Sequence, residues 1–130
     1  MPDWFERNFT RREVECPCCH AEDMQPETMA RFQKARDILG SPLYGNSWFR
    51  CPKHNKKVGG TEDSSHLVGR AGDVTLAKFR AMRPDEYWRL LDALLLAGFP
   101  RLVLDTARRY IHADDDPDKP KPGIWFRRRP

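Results

Sequence analysis

The glycines and prolines of this chain fall between its periodic stretches rather than inside them, and that punctuation limits the possible folds more than any other feature. Pro26 suits the first turn of a helix, after which Met29, Phe32, Ala35 and Leu39 recur at spacings of three and four until Gly40. A second amphipathic run starts near Pro84 and carries Tyr87, Trp88, Leu91, Leu94 and Leu95, predicted as its packing face, before Gly98 ends it. Between the two, residues 41–60 are rich in turn formers and predict loop with one strand around Tyr44 to Phe49, and Ala71 to Thr75 predicts another. The runs RLVLD and YIHAD, separated by Thr106 to Arg109, predict an antiparallel hairpin. Pro117, Pro120 and Pro122 predict an irregular closing segment over 117–130. No internal repeat is visible, and 130 residues suit one compact unit. The expectation is an α+β fold: a small single domain over 1–130 with an antiparallel sheet and two main helices.

Lysine and arginine number 23 against 19 acidic residues, a surplus of +4 that attracts polyanions only weakly. The one dense basic run is Arg127 to Arg129, after Trp125 and Phe126. It reads as a solvated tail, with attraction to DNA or cell wall as the sharper alternative, and no specific nucleic-acid partner is expected. The opening MPDWFERNFTRREVE scatters charge where an export signal requires an apolar stretch, so synthesis without a cleavable signal is expected. The apolar run around Leu94 to Phe99 falls far short of the roughly 20 residues that cross a bilayer. Three of the four cysteines crowd into CPCCH, at Cys16, Cys18 and Cys19, and the fourth is Cys51. A structural zinc site could be drawn from Cys16, Cys19, His20 and Cys51. Their spacing is not a paired CxxC ladder, however, so thiols with no ligand role are the expectation.

Catalytic zinc takes three nitrogen or oxygen ligands and keeps one position open. The chain offers only His20, His54, His66 and His112, and no HExxH motif. His66 and Asp73 bracket SSHLVGRAGD, whose Gly69, Ala71 and Gly72 let the backbone turn closely between them. Taken alone, that spacing fits a capped turn with a surface histidine as well as it fits a ligand pair. In YIHAD, alternation puts Tyr110, His112 and Asp114 on one face. Alternate strand residues stand about 6.6 to 6.8 Å apart, so Asp114 is better placed to orient a neighbour than to share a metal with His112. If the hairpin pairs Asp105 with Tyr110, Val103 and Asp105 join that face and Asp105 becomes a candidate general base. A slip of one residue would turn Asp105 away.

A more specific signal is the run SWFRCPKHNKKVGGTEDSSHLVGRAGDV. It resembles the signature of the zinc D-alanyl-D-alanine carboxypeptidase family, which includes phage endolysins that cleave L-alanyl-D-glutamate bonds. Ser47, Phe49, Arg50, His54, Asn55, Gly59, Gly60, Ser64, His66, Gly69, Ala71 and Asp73 stand in the places of its serine-aromatic-x-arginine turn, asparagine, double glycine and S-x-H-x-x-G-x-A-x-D. YIHAD is similar to the family's late strand, so the likeness runs from about Glu13 to Asp116.

The resemblance implies a hedgehog/DD-peptidase-like fold and a zinc ion (Zn2+) held by His66, Asp73 and His112. It also implies Arg50 and Ser64 at the substrate, and hydrolysis of an amide bond in the peptide of bacterial peptidoglycan. The setting it implies is phage or host lysis, and a monomer is the default. Several members carry an acid three positions before the last histidine, where this chain has Arg109. Asp114 and Asp105 are therefore the alternatives for the base, and Trp48 and Gly72 also depart from the usual residues. Rival readings are a virion or wall-binding domain that keeps the fold without turnover, and a basic nucleic-acid-binding protein built on CPCCH and the arginine tail.

Overall fold

A computed structural model describes residues 3–127. Arg128 and Arg129 of the basic run lie outside the described residues. Three α-helices and five strands follow in the order α1 (Pro26–Leu39), β1 (Tyr44–Ser47), α2 (Pro52–Lys57), β2 (Ala71–Thr75), α3 (Pro84–Leu96), β3 (Arg101–Asp105), β4 (Tyr110–Asp114) and β5 (Gly123–Arg127). A 3₁₀ turn over Ser65–Val68 leads into β2.

Both long helices begin and end where the punctuation requires. Pro26 and Pro84 occupy first turns, where the N–H that proline lacks would have no helical partner. Gly40 closes α1 in the left-handed conformation and donates its N–H to the Arg36 carbonyl. The Glu86 carboxylate accepts the free Arg83 N–H at the head of α3.

The strands lie in the order β1-β2-β4-β3-β5. The predicted hairpin register holds, with Asp105 opposite Tyr110, Val103 opposite His112 and Arg101 opposite Asp114. Strand β2 pairs on the other side of β4 and sets Asp73 opposite His112. Period-two alternation then sorts the sheet. Val74, Leu102, Leu104, Ile111 and Ala113 join Phe32, Leu90 and Leu94 in one buried core, while Asp73, His112 and Asp114 share the opposite face. Residues 3–25 contribute Trp4, Phe9, Val14, Cys16 and Met24 to that core, although their only bridge is Glu6 to Phe9.

Three expectations need correction. The sheet is mixed rather than antiparallel, because part of the supposedly irregular 117–130 segment is β5, which runs parallel to β3. Residues 115–122 carry the chain past β3 to its open edge, whose bare N–H and C=O groups favour a partner strand. Within the stretch read as loop and strand, Pro52–Lys57 forms a short helix that starts on Pro52 and is capped by the Cys51 sulfur, which accepts the His54 N–H. Finally, α3 buries Leu90, Ala93 and Leu94, whereas Trp88 is 71% and Leu95 44% exposed. A helix this rich in leucine has more than one apolar stripe, and only the partner surface selects the buried one. Among the described residues no helix is long and apolar enough to cross a membrane.

Candidate metal centre

His66 sits on the 3₁₀ turn, and most of the sequence signature serves to hold that turn still. The Ser64 hydroxyl accepts the His66 N–H at 3.3 Å, capping it. Ser65 donates its hydroxyl to Asp116 Oδ2 at 2.8 Å. Gly69 ends the turn at a φ of 69°, and a Cβ there would lie 1.8 Å from the Asp23 carbonyl oxygen, so only glycine fits. The Gly69 carbonyl in turn accepts the Gln25 N–H, tying the turn to the start of α1.

Asp73 and His112 reach the same point from neighbouring strands. Asp73 Oδ1 lies 3.2 Å from His66 Nε2 and 2.9 Å from His112 Nδ1. The donor atoms of all three residues fall within 4.8 Å of one another. Side-chain exposure is 3% for His66, 9% for Asp73 and 12% for His112, which leaves one side accessible.

The hydrogen bonds on the far side of each ring decide what this cluster can hold. His66 Nδ1 is 2.6 Å from the Trp48 carbonyl, which can only accept, so Nδ1 carries the proton and Nε2 points inward as a bare lone pair. His112 Nε2 is 2.7 Å from Asp114 Oδ2, which by the same logic leaves His112 Nδ1 bare toward Asp73. Two imidazole lone pairs and a carboxylate oxygen thus converge on one buried spot, an arrangement that repels itself unless a cation occupies it. A divalent metal with nitrogen and oxygen ligands fits, and a third-ligand set facing a cleft is the pattern of a site that keeps a coordination position open.

Without a metal, a proton has to serve as the cation. Burial would lower the His112 pKa, but the carboxylates of Asp114 and Asp73 outweigh it and raise it from 6.5 to about 9. Burial likewise works to raise Asp73, yet the attraction of His66 and His112 dominates and holds its carboxyl well below the usual range. With the proton gone, the bare histidine nitrogens and the Asp73 carboxylate are donors that could hold a metal in its place.

The cluster lies in a cleft of about 400 Å³ whose lining also includes Arg50, Arg101, Lys119, Arg127 and Asp114. Arg50 is braced on three sides: Nε donates to Ser47 Oγ at 2.9 Å, Nη1 to Asn55 Oδ1 at 3.2 Å and Nη2 to Asp73 Oδ2 at 3.4 Å. Asp114 Oδ2 accepts from Arg101 Nε at 3.1 Å as well as from His112. Ser64 lines the cleft, but its hydroxyl is engaged as the cap of the turn.

Asp105 keeps the expected face of β3 yet does not line the cleft. It is fully buried, and its Oδ1 accepts the Arg108 N–H at 2.9 Å in the hairpin turn. Arg109 lies in the same turn at a φ of 55° and donates to the Met82 carbonyl at 3.1 Å. The position therefore contributes no group to the cleft.

Several contributors went unread in the sequence. The Trp48 carbonyl has no side-chain signature. Asp115 accepts from Thr28 Oγ1 at 2.6 Å and Asp116 from Ser65, so the acidic run after His112 straps both α1 and the 3₁₀ turn to the sheet. Arg101 could have been found, since pairing Asp105 with Tyr110 forces it opposite Asp114. Outside the cleft, Cys16, Cys18 and Cys51 bring their sulfurs within 4.8 Å of one another, against the expectation of thiols with no ligand role.

The family model described as Peptidase M15 matches residues 6–114, which includes every member of the cluster and leaves out Asp115 and Asp116 of its support and Lys119 and Arg127 of the cleft lining. No curated protein matches the chain.

Proposed function

The chain belongs to the peptidase M15 family, whose members are metallopeptidases, and on that premise we propose that it is a zinc enzyme that hydrolyses an amide bond in the peptide part of bacterial peptidoglycan. The observation that carries this reading is the convergence of His66 Nε2, Asp73 Oδ1 and His112 Nδ1 at the floor of an open cleft. Bound there, zinc would supply a Lewis acid and a water acidified toward neutrality.

The chain's own residues do the rest. Arg50, braced by Ser47 and Asn55 beside the metal ligands, presents a planar cation to a substrate carbonyl or carboxylate. Arg101, Lys119 and Arg127 extend the positive lining, which suits a stem peptide bearing several carboxylates. Asp73 and Asp114 are the only carboxylates among the described residues that line the cleft. With Asp73 on the metal, Asp114 fixes the His112 tautomer through Oδ2, a positioning role, and proton transfer to the leaving amine falls to the same carboxylate. Asp105, buried in the hairpin turn, serves structure. The setting we infer is wall breakdown during phage or host lysis, by a monomer.

Purified peptidoglycan digested by the wild type and by His66→Ala, with new amino termini identified by mass spectrometry, tests the reading. Termini made by the wild type and lost in the variant establish the enzyme and name the bond, whether terminal D-alanyl-D-alanine or internal L-alanyl-D-glutamate. One observation favours a second reading, a metal-holding wall-binding domain without turnover. The position that carries an acid in several relatives is Arg109, and it points to the Met82 carbonyl instead. Zinc bound at the cleft without new termini across several wall chemistries would select that reading.

A further inference from the structure

Far along the chain from the metal ligands, CPCCH folds into a tight knuckle. The Cys16 N–H donates to the Ala21 carbonyl at 2.8 Å and the His20 N–H to the Cys16 carbonyl at 2.8 Å, with His20 itself at a φ of 62°. That curl turns the sulfurs inward, toward Cys51 at the head of α2. Cys18 Sγ and Cys51 Sγ stand 3.8 Å apart. A disulfide would require about 2.05 Å, whereas a tetrahedral centre with metal–sulfur bonds of about 2.3 Å places its sulfurs about 3.8 Å from each other.

Backbone donors surround the cluster as they would surround thiolates. The Cys51 N–H donates to Cys16 Sγ at 3.5 Å, joined by the N–H groups of Cys18 and Cys19. The His54 N–H donates to Cys51 Sγ at 3.4 Å. Cys16 is completely buried, so negative charge on its sulfur has only these amides and a bound cation to offset it. The sulfurs that lie within 4.8 Å of one another are those of Cys16, Cys18 and Cys51, and Cys19, adjacent to Cys18 in the same knuckle, is the further sulfur from which a fourth ligand would come. His20 is not part of the group, because its ring pairs with Glu15 at 3.0 Å.

We propose that Cys16, Cys18, Cys19 and Cys51 form a second metal site, a closed four-sulfur zinc centre that clips the N-terminal arm to the segment carrying Arg50. The ligands come from two parts of the chain 32 residues apart at the nearest, Cys19 and Cys51. The segment they join is the one on which the cleft depends. The Phe49 N–H donates to the Val14 carbonyl at 3.3 Å and the Arg50 N–H to the His66 carbonyl at 3.2 Å, so the clip, Arg50 and the metal-bearing turn form one continuous strap. Four sulfurs leave no open position, which makes this centre structural. It also stands apart from the reading of the cleft, since neither set shares a residue with the other.

Metal analysis of the reduced full chain should find two zinc equivalents per molecule. His66→Ala combined with His112→Ala should keep one, and Cys18→Ser should also keep one, now in the cleft. Cys18 is exposed, so its replacement leaves the core untouched. Cobalt offered to the His66→Ala/His112→Ala chain should show the intense near-ultraviolet absorption of sulfur-to-cobalt charge transfer, which is lost on adding Cys18→Ser. Absence of that absorption, or a single zinc equivalent in the wild type that the histidine variant removes, would overturn the proposal. Trapping of a Cys18–Cys51 disulfide in protein purified without oxidant would do the same. None of these outcomes depends on whether the cleft cuts peptidoglycan.

Discussion

The two clusters of ligand-type residues in this molecule are built on opposite plans. The cleft set stands on adjacent strands and a pinned turn, uses two nitrogens and one oxygen, and leaves a side open to solvent. The sulfur set stands on a loop and the head of α2, and gathers a buried Cys16, an exposed Cys18 and a half-buried Cys51. Rigid sheet register fixes the first set in place, so a metal held there would be free to serve chemistry. Loops with little regular structure have no such support, so a metal in the second set would serve the fold. The difference teaches that donor type and scaffold together, more than proximity alone, separate a working site from a structural one.

The comparison breaks most visibly at His112. His112→Ala removes a proposed ligand outright and should lower cleft metal affinity and peptidoglycan cleavage by more than about 100-fold, the upper end of what losing an outer partner costs. Cobalt absorption from the sulfur set should not change. A milder break is Asp114→Asn, which keeps the shape but weakens the hold on His112 Nε2. Metal titration should show a loss of about 10- to 100-fold in affinity at the cleft. If turnover per bound metal is unchanged, Asp114 acts only by positioning. If turnover falls while metal stays bound, it also moves the proton.

Acidity sharpens the same contrast by a smaller step. His112 in the metal-free chain holds its proton up to about pH 9, and a metal must displace it. Cleft affinity should therefore rise about tenfold per pH unit below that value, with one proton released per metal, as calorimetry in buffers of different ionisation enthalpy can count. The sign for stability is opposite. His112 is raised in the folded state from an ordinary 6.5 to about 9, so the stability it contributes without metal is complete below 6.5 and is lost as pH climbs through 9. The thermal midpoint of the metal-free chain should decline across that window, and the cleft-loaded chain should not follow it.

The smallest effect concerns the brace between the two sites. A Cβ at Gly60 would stand 2.0 Å from Asn55 Oδ1 and 3.0 Å from Arg50 Nη1. Gly60→Ala should cost about 1–3 kcal/mol in chemical denaturation and raise KM more than it lowers kcat, because Arg50 loses its seat while the metal ligands keep theirs. An unchanged KM would mean that Arg50 does not meet the substrate.

Much of the cleft was legible in one dimension because local rules write it. Alternation in YIHAD and the hairpin between RLVLD and YIHAD set His112, Val103 and Asp105 on one face, and the observed register agrees. Caps and glycines around His66 mark a turn whose shape depends on neighbours in sequence. The same rules could not choose between Asp105 and Asp114, since sharing a face does not say which side chain borders the cleft: both are fully buried, but only Asp114 lines it. Nor could they tell which apolar stripe of α3 turns inward, because Trp88 and Leu90 are equally apolar until a partner surface selects between them.

By itself, then, the sequence determined the two long helices and the central hairpin, because each follows from spacing along a strand or helix and from capping chemistry within a few residues, whereas the choice of His66, Asp73 and His112 as candidate ligands rested on the resemblance of their motif. Only the tertiary structure decided that β5 closes the sheet in parallel, that Arg101 and the Trp48 carbonyl orient the centre, and that Cys51 meets the CPCCH knuckle. Those contacts join residues far apart in the chain through open strand edges, backbone atoms and loops, and no local periodicity records them.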